Sequence, residues 1–383
     1  MSRVFFSSSL LNGYDELKTL SYAIPLICPI GADVRQPVMT FGKPDWFDQV
    51  GREVALAHEA AAIFDQSTFG KVEVEGKDAA RFLNRICANN MEISPGRAIY
   101  TTMLNERGGI ESDLTAIRIT DDHYRLFVGT TAIRRDMAWL KRHLDDEQVT
   151  LRDSTKDYAV LGLMGPDAAE IAAKVGAGEL NSLKYFEAGP AHIAGAHIRA
   201  VRMSYVGEAG WEITCKAENA DKIYNALYEQ GAQPAGVFAQ SAMRIEKRFL
   251  AYGHDLDTDI SPIQAGLDFA IAWDTDFIGR SALEKQRDTG ETNRVVTIVL
   301  DDKNAVPLGG EPVYFDGCIA GKTTSATYGY RVEKPVAIAN FSLAEARSDG
   351  VQVEVDIAGK LYTGQATHQP AYDPKGQRMR VSL

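Results

Sequence analysis

The stretch KVEVEGKDAARFLNRICANN, residues 71–90, places a strand pattern directly before a helical pattern. Val72 and Val74 alternate with charged residues, which is typical of a half-buried strand. Phe82 and Ile86 lie four positions apart and share one face of the helix that the second half predicts. The stretch therefore predicts a β-strand followed by an α-helix within one module.

Strand and helix patterns continue on both sides of this unit. C-terminal to it, strand patterns at residues 100–105, 113–120 and 123–130 precede a helical pattern at 131–144. This order of strand, helix, strands and helix predicts a ferredoxin-like α+β module. Before the module, residues 46–65 predict one helix, and after it residues 150–275 again mix strands with helices.

The pattern changes after Gly279. Short runs such as RVVTIVL, PVYF and VAIANF are rich in β-branched or aromatic residues and are separated by Gly, Asp and Asn. They predict a β-rich C-terminal domain, either a barrel or a sandwich. The fold class predicted for the whole chain is therefore α+β, and its 383 residues are enough for two or three domains.

Composition limits the functions that the chain can have. It carries 41 basic and 52 acidic residues, a net charge of −11, which argues against nucleic acid or a membrane as the main partner. The four cysteines stand far apart, which predicts reduced thiols in a cytoplasmic protein. The N-terminal apolar stretches are short and interrupted by polar residues, so we expect neither a signal peptide nor a membrane span there.

Several common motifs are missing from the sequence. The loops GxGxxG and GxxxxGK[ST], which would indicate a nucleotide, are absent, and so is the GxSxG of serine hydrolases. HExxH is also absent and the seven histidines are scattered. We therefore predict no metal site.

Three polar clusters remain. They are LNERGGIESDL (residues 104–114), in which a double-glycine turn leads to Asp113; SYVGEAGWEI (204–213), in which a second turn leads to Glu212; and AMRIEKRFLAYGHDLDTDISPIQAGL (242–267), in which a basic helix with Arg244 precedes an acidic loop. A carboxylate beside aromatic residues suits a pterin or guanine-like edge, because its two oxygens accept two parallel N–H bonds. A guanidinium group suits a carboxylate. Each cluster taken alone also fits a solvated hairpin or a salt-bridged helix.

Taken together and in this order, GGIESDL, YVGEAGWE and RIEKRFLAYGHDLDTDISPIQAGL resemble the glycine-cleavage T-protein family. VLGLMGP and FIGRSAL look like the same family, and the resemblance extends from about Trp46 to the C-terminus. The segment that begins at Trp46 looks closest to the folate-binding domain of sarcosine and dimethylglycine dehydrogenases, and the chain also resembles folate-dependent demethylases.

This resemblance implies a three-domain, cloverleaf-like arrangement with tetrahydrofolate bound near its centre. The implied domains are a split folate-binding α+β domain (1–70 and 145–278), a ferredoxin-like α+β domain (71–144) and the β-rich domain (279–383). The site residues carried over by the resemblance are Asp113 and Tyr100 as catalytic groups, and Tyr205, Glu212, Arg244 and Trp211 as cofactor-binding groups. The family has two consecutive acids where this chain has Ser112 and Asp113, so only the second acid is kept.

The implied function is tetrahydrofolate-dependent transfer of a methyl or methylene group. The donor is a small methylated amine, sulfonium or aminomethyl compound, and the product is 5-methyl- or 5,10-methylene-tetrahydrofolate. For methylene transfer, a flavin-dependent amine oxidase is the expected partner. The alternatives are the glycine-cleavage T-protein itself, a dimethylsulfoniopropionate demethylase, and a non-catalytic folate-binding protein of iron–sulfur maintenance, whose K-G-C-Y-x-G-Q-E run this chain lacks.

Overall fold

The computed structural model describes residues 42–381, and its strands form three sheets. The helices are α1 (Phe47–Glu59), α2 (Ala79–Ile86), α3 (Ile133–Arg142), α4 (Ala168–Lys174), α5 (Ala220–Glu229), α6 (Val237–Glu246), α7 (Pro262–Ala265), α8 (Arg280–Thr289) and α9 (Gln377–Arg380). The strands are β1 (Ala62–Asp65), β2 (Gly70–Glu75), β3 (Ala98–Leu104), β4 (Ile110–Thr120), β5 (His123–Val128), β6 (Thr150–Asp153), β7 (Tyr158–Met164), β8 (Ala188–Ile193), β9 (Ala196–Val201), β10 (Gly210–Lys216), β11 (Gln233–Ala235), β12 (Arg294–Leu300), β13 (Pro312–Phe315), β14 (Cys318–Gly329), β15 (Lys334–Phe341), β16 (Val351–Ile357) and β17 (Lys360–Thr367).

The first sheet has six strands in the order β11-β1-β7-β10-β9-β8. β1 and β11 run parallel, and the other neighbours are antiparallel. Helices α4 and α5 cover one face, where Trp211, Ile171 and Leu227 belong to one buried cluster. Because side chains alternate along a strand, Glu212 points to the opposite face from Trp211.

The second sheet has five antiparallel strands in the order β3-β4-β5-β2-β6. Helices α2 and α3 pack on one face through Phe82, Leu83 and Leu140. The mixture of strands and helices confirms the predicted α+β class. Strand β6 pairs with β2, so this sheet continues beyond residue 144, where the sequence places the end of the module.

Strands β12 to β17 form a closed barrel in the order β12-β15-β14-β13-β16-β17. The barrel closes because β12 pairs with both β15 and β17. Its core consists largely of small and β-branched side chains such as Val296, Ile298 and Ala337. The β-rich C-terminal domain was expected as a barrel or a sandwich, and it is a barrel.

The single helix predicted over residues 46–65 is wrong in its second half. Helix α1 ends at Glu59, and β1 follows between β7 and β11. Alanines favour a helix intrinsically, but strand pairing on both sides of Ala62 and Phe64 outweighs that preference. The chain therefore leaves α1 and enters the middle of the first sheet.

Cys87, Cys215 and Cys318 carry free thiols, and the first two are buried. The fourth cysteine, Cys28, lies outside the described residues. Over residues 42–381, no helix combines the length and the apolar character needed to cross a membrane.

The first two sheets face each other across a shared buried cluster. Val160 and Val201 of the first sheet pack with Ala98, Ile117 and Phe127 of the second. The faces that carry these residues also carry polar side chains further along the same strands. This junction between the sheets therefore determines which polar groups can meet.

Candidate active site

Asp113 and Tyr100 lie on neighbouring strands of the second sheet and on the face turned towards the first. On β4, Asp113 alternates in phase with Ile117, which packs against the first sheet. In the antiparallel register, Thr102 lies opposite Asp113 and Tyr100 lies opposite Thr115. The double-glycine turn before β4 thus delivers Asp113 to the junction, as its predicted role requires.

The two side chains form a hydrogen-bonded pair. The Tyr100 hydroxyl donates to Asp113 Oδ2 at 3.0 Å. Both residues are partly exposed, so they line a cleft rather than fill a core. Among residues 42–381, no cation forms an ion pair with Asp113.

Burial raises the pKa of Asp113 to about 6, although the Tyr100 hydrogen bond lowers it, and the negative charges of Asp136 and Asp255 contribute to the rise. The pKa of Tyr100 is raised well above its ordinary value by burial and by the Asp113 charge. Tyr100 therefore keeps its hydroxyl proton at physiological pH and can donate a hydrogen bond. Asp113 is ionised there but lies close to its titration point, as suits a group that exchanges a proton or stabilises a cation.

Tyr205 lies in the turn before β10 and joins this cleft. Its hydroxyl donates to the Leu250 carbonyl at 3.2 Å, and its ring stacks on Phe249 with centroids 6.1 Å apart. Burial raises its pKa, and the charges of Arg244 and Asp113 act on it as well. The structure therefore brings Tyr100, Asp113 and Tyr205 near one another, and the roles that the resemblance implies for them stay predictions.

Glu212 stands on the first sheet and faces the second. It lies opposite Val201 and Gly162 in the register, and it is 6% exposed. Burial raises its pKa to about 7, against a hydrogen bond from Gln66 that lowers it. In the part of the chain that the structure describes, no Lys, Arg or His forms an ion pair with it, so this is a buried carboxylate with acceptor capacity to spare.

Trp211 does not reach the site, although the sequence groups it with Glu212. Its side chain is fully buried in the core beneath α4 and α5, and its indole N–H donates to the Leu180 carbonyl at 3.2 Å. Adjacent residues of a strand point to opposite faces. The structure therefore places Trp211 under the sheet and Glu212 above it, so the cofactor-binding role expected for Trp211 has no geometric support.

Arg244 is near the cleft, but its hydrogen bonds are made within the protein. It is 5% exposed and donates to Asp255 Oδ2 at 2.5 Å, to the Phe249 carbonyl at 3.1 Å and to Ser325 Oγ at 2.8 Å. These bonds tie α6 to the acidic loop and to barrel strand β14. Arg244 thus holds the wall of the cleft, and its predicted contact with the cofactor stays a prediction.

Ser112 lies on the opposite face of β4 from Asp113. It is buried and donates to Asp136 Oδ2 on α3 at 2.7 Å. Replacing the first acid of the family pair with serine therefore removes no group from the cleft. The alternation of β4 thus separates Ser112, which contacts α3, from Asp113, which faces the junction.

Two polar residues of the junction, Asp255 and Gln66, were missed as site residues by sequence reasoning. Asp255 is 3% exposed and receives hydrogen bonds from Arg244 and Thr324, and Gln66 lies 2% exposed beside Gln240. Their partners come from distant segments, so no local spacing reveals them. The local signal in the sequence is that two polar residues, Asp65 and Gln66, follow the apolar run Ala62–Phe64.

Two surface clefts have linings that differ from the candidate site. One, of about 450 Å³, is lined by Arg107, Lys285 and neighbouring polar residues, and the other, of about 530 Å³, includes Arg97 and Glu187. Neither contains Asp113, Glu212 or Tyr205. The chemistry of the side chains, rather than the size of an opening, identifies the candidate site.

A possible metal-ligand group occurs elsewhere, on the second sheet. The ligand atoms of Glu73, Glu75 and His123 all lie within 4.8 Å of one another. Glu73, however, already accepts hydrogen bonds from Arg125 at 2.8 Å and Ser154 at 2.7 Å. These bonds satisfy a carboxylate that a metal ion would need, and we assign no metal to the group.

Comparisons with known proteins find related domains and relatives over most of the chain. Residues 30–275 match the model of the GCVT N-terminal domain, and residues 293–373 match that of the glycine cleavage T-protein C-terminal barrel domain. An aminomethyltransferase of Anoxybacillus flavithermus is 34% identical over 90% of this chain and 97% of its own length. A solved structure, the glycine cleavage system aminomethyltransferase T from Bartonella henselae, is 22% identical, has a TM-score of 0.79 and covers 88% of this chain and 94% of its own, which confirms the predicted T-protein arrangement of the fold.

Two further relatives are longer than this chain. The 4-methylaminobutanoate oxidase (formaldehyde-forming) of Paenarthrobacter nicotinovorans is 33% identical over 89% of this chain and 42% of its own length. The mitochondrial dimethylglycine dehydrogenase of Rattus norvegicus is 30% identical over 89% of this chain and 41% of its own. The chain thus spans less than half of these two proteins but nearly all of the aminomethyltransferase. From the matched domains and these relatives, the chain belongs to the glycine-cleavage T-protein family of folate-dependent enzymes, as its three sequence clusters predict.

Proposed function

We propose that this chain transfers a one-carbon unit, methyl or methylene, from a small cationic donor to tetrahydrofolate. The observation that carries the proposal is the Asp113–Tyr100 pair, a desolvated carboxylate held by a hydroxyl at 3.0 Å in a cleft of a folate-family chain. A carboxylate without a cation partner is costly to bury unless its charge is used. Its use here is to meet positive charge that develops at the transferred carbon or the accepting nitrogen.

The residues at the junction suit a pterin ring. Glu212 is a buried carboxylate without a cation partner among the described residues, and the neighbouring Gln66 Oε1 is a buried acceptor without a hydrogen bond there. The pterin edge carries adjacent N–H donors, which a carboxylate accepts in parallel. Gly162 keeps space beside these acceptors, because a Cβ at that position would lie 3.0 Å from Gln66 Oε1. The N–H donors of the pterin edge therefore match the oxygen acceptors of Glu212 and Gln66.

The division of work between the side chains follows from their positions. Glu212 binds and orients the ring, while Asp113 faces the reacting centre from the other sheet. When bound, tetrahydrofolate supplies the nitrogen nucleophile that accepts the carbon. Holding the two reactants between two packed sheets makes the step effectively intramolecular, and the Asp113 carboxylate stabilises positive charge or takes up a proton.

The charge of the cleft supports a cationic donor. Asp113 contributes a negative charge without a cation partner among the described residues, while Arg244 and Asp255 neutralise each other. Aromatic rings lie beside them: Tyr100 stacks on Phe269, which is 69% exposed, at 5.9 Å between centroids. Carboxylates and aromatic faces together favour an ammonium, iminium or sulfonium group over an anion. This supports the methylated amine and sulfonium donors among the predicted classes.

The T-protein function remains the second candidate. It is favoured by the position of Ser112, which lies outside the cleft, and by the 97% coverage of an aminomethyltransferase. The two longer relatives, named as an oxidase and a dehydrogenase, support the alternative in which a flavin-dependent amine oxidase supplies the methylene group. A dimethylsulfoniopropionate donor and a cytoplasmic location stay predictions from the sequence.

Incubation of the purified chain with tetrahydrofolate and a panel of donors tests the proposal. The panel contains dimethylglycine, sarcosine, dimethylsulfoniopropionate and an aminomethyl-loaded carrier, each with and without a flavin amine oxidase. Mass spectrometry of the folate separates a methyl from a methylene product. We expect one donor class to give product with the parent and little with Asp113→Asn. If calorimetry shows no tetrahydrofolate binding, the proposed function is wrong.

A further inference from the structure

Gln66 occupies an unusual place at the junction of the two sheets. It is the first residue after β1, and its backbone N–H donates to the Val160 carbonyl at 2.9 Å, so its position is fixed by the sheet. Its side chain follows the same face as Phe64, two residues earlier, and is 2% exposed. A glutamine amide is thus held inside the molecule, beside Glu212.

The nitrogen and the oxygen of the Gln66 amide differ in their hydrogen bonds. Its Nε2 donates to Gln240 Oε1 on α6 at 3.4 Å, and the amide also hydrogen-bonds with Glu212. Its Oε1 has no hydrogen-bond partner among residues 42–381. Leaving a buried acceptor unpaired is unfavourable, so an N–H donor that reached this oxygen would be bound favourably.

No side chain projects from the backbone beside the Gln66 oxygen, because residue 162 is a glycine. Gly162 lies in β7, directly opposite Glu212 in the register, and an added Cβ would lie 3.0 Å from Gln66 Oε1 and 3.3 Å from its Cδ. An alanine there would press on the amide. Gly162, Glu212 and Gln66 therefore lie together on one face of the first sheet, and the Gln66 oxygen lies beside the bare backbone of Gly162.

We infer that Gln66 is a ring-recognition residue, whose Oε1 accepts an N–H of the pterin next to the N–H groups that Glu212 accepts. Gln240 holds the amide in the orientation that presents the oxygen. This inference rests on the proposed function, because it identifies what the ring meets. An amide adds an acceptor without adding charge, so it extends the recognition surface of Glu212 without repelling it.

Calorimetric titration with tetrahydrofolate tests the inference. Gln66→Met keeps the length of the side chain and removes the amide, and we expect it to weaken binding about tenfold. Gln240→Met should weaken binding less, because the amide loses only its orientation. In a double-mutant cycle with Glu212→Gln, the two losses should sum to more than the loss in the double variant, since both groups meet the same ring. Gln148→Met, an exposed glutamine, is the control and should bind as the parent does.

A second ligand separates recognition from folding. p-Aminobenzoylglutamate carries the remainder of the folate molecule without the pterin ring, and its affinity should be equal in the parent and in Gln66→Met. Equal tetrahydrofolate affinity in these two proteins would overturn the inference while the proposed function stands. So would a loss of affinity for both ligands together with a lower melting temperature, since Gln66 would then only stabilise the fold. If the parent does not bind tetrahydrofolate, the proposed function itself fails.

Discussion

Two sets of buried or partly buried carboxylates differ in their partners. Glu208 and Glu246 form the central ion network with Arg331, which lies between them. Arg331 donates to Glu208 at 2.9 Å and to Glu246 at 2.7 Å. Glu208 also accepts from Arg378 at 3.0 Å and from Tyr372 at 3.2 Å. Every charge in this network has a partner of opposite sign.

Asp113 and Glu212 have no such partner within residues 42–381. Their neighbours are a hydroxyl, that of Tyr100, and an amide, that of Gln66. Burial raises the pKa of both acids, to about 6 and about 7. The comparison teaches that the acids of the three sequence clusters divide into two kinds: those neutralised by cations within the protein, which tie its segments together, and those without a cation partner, for which we propose a ligand or a reaction.

The largest effect is expected for Arg331→Met, which tests the ion network of Glu208 and Glu246. This change leaves Glu246 without its cation and Glu208 with Arg378 as the remaining guanidinium partner. Removing one member of a buried ion network leaves uncompensated charge, so we expect the free energy of unfolding to fall by about 3–5 kcal/mol. Urea unfolding at pH 7 measures it. Arg97→Met is the control: its partner Glu187 and Arg97 itself are both partly exposed, and the loss should be below about 1 kcal/mol. Equal losses would contradict the distinction.

Asp113→Asn tests the second set of acids, which have no cation partner among the described residues. The variant keeps an acceptor for Tyr100 but loses the charge, so we expect single-turnover rates to fall by roughly 10²-fold or more while folate affinity is largely kept. The stability of the folded Asp113→Asn variant should rise, although its turnover falls. Folding raises the pKa of Asp113 from 3.8 to about 6, so its ionisation opposes folding fully above about pH 6 and not at all well below pH 3.8.

The asparagine variant should therefore melt at a higher temperature than the parent at pH 7.5, and this gain should vanish near pH 3. Thermal unfolding at the two pH values measures the effect. A carboxylate that served only the turn would give the reverse: unchanged turnover and a lower melting temperature at neutral pH.

Much of this division could be predicted from the sequence, but not all. The alternation of WEITCK indicates a strand, and it already places Trp211 with Ile213 and Cys215 on an apolar face, opposite Glu212. This alternation argues against assigning Trp211 and Glu212 to the same site, although an aromatic residue stands next to an acid there. The family resemblance also predicted Asp113, Tyr100 and Tyr205 as residues of one site, and the structure places the three near one another.

The remaining features depend on partners that are distant in the sequence. Arg244 looks the same in sequence whether it faces a ligand or Asp255, and Ser325 joins it from the barrel. Glu208 and Glu212 lie in the same motif, and their partners Arg331 and Gln66 come from opposite ends of the chain. Only the tertiary structure decides which acid is neutralised and which is left for a ligand.

Tyr100→Phe sharpens the comparison by changing the one hydrogen bond that holds Asp113. That bond lowers the pKa of Asp113, so its loss should raise the pKa above about 6. Since the ionised acid is the working form, the rate should rise with pH through this pKa, and in the variant the rise should occur at higher pH. We expect a several-fold lower rate at pH 6.5 and a smaller difference at pH 8.5. A pH–rate profile from single turnovers measures both, and a parallel loss at all pH values would assign Tyr100 a role other than holding the carboxylate.

The smallest expected effect on turnover belongs to Ser112→Ala, although Ser112 is the residue adjacent to Asp113. Because Ser112 points to α3, the variant should change the barrier to turnover by less than about 1 kcal/mol. It should nevertheless lower the free energy of unfolding by about 1–3 kcal/mol, because the buried Asp136 loses a hydrogen bond of 2.7 Å and keeps Arg135. Ser112→Asp should cost more, and increasingly so as pH rises, because it sets a second carboxylate against Asp136. Single-turnover rates and urea unfolding on both variants provide the comparison. If Ser112→Ala slowed turnover as much as Asp113→Asn, the two faces of β4 would not separate stability from catalysis, and the distinction between the two kinds of buried acid would lose its clearest example.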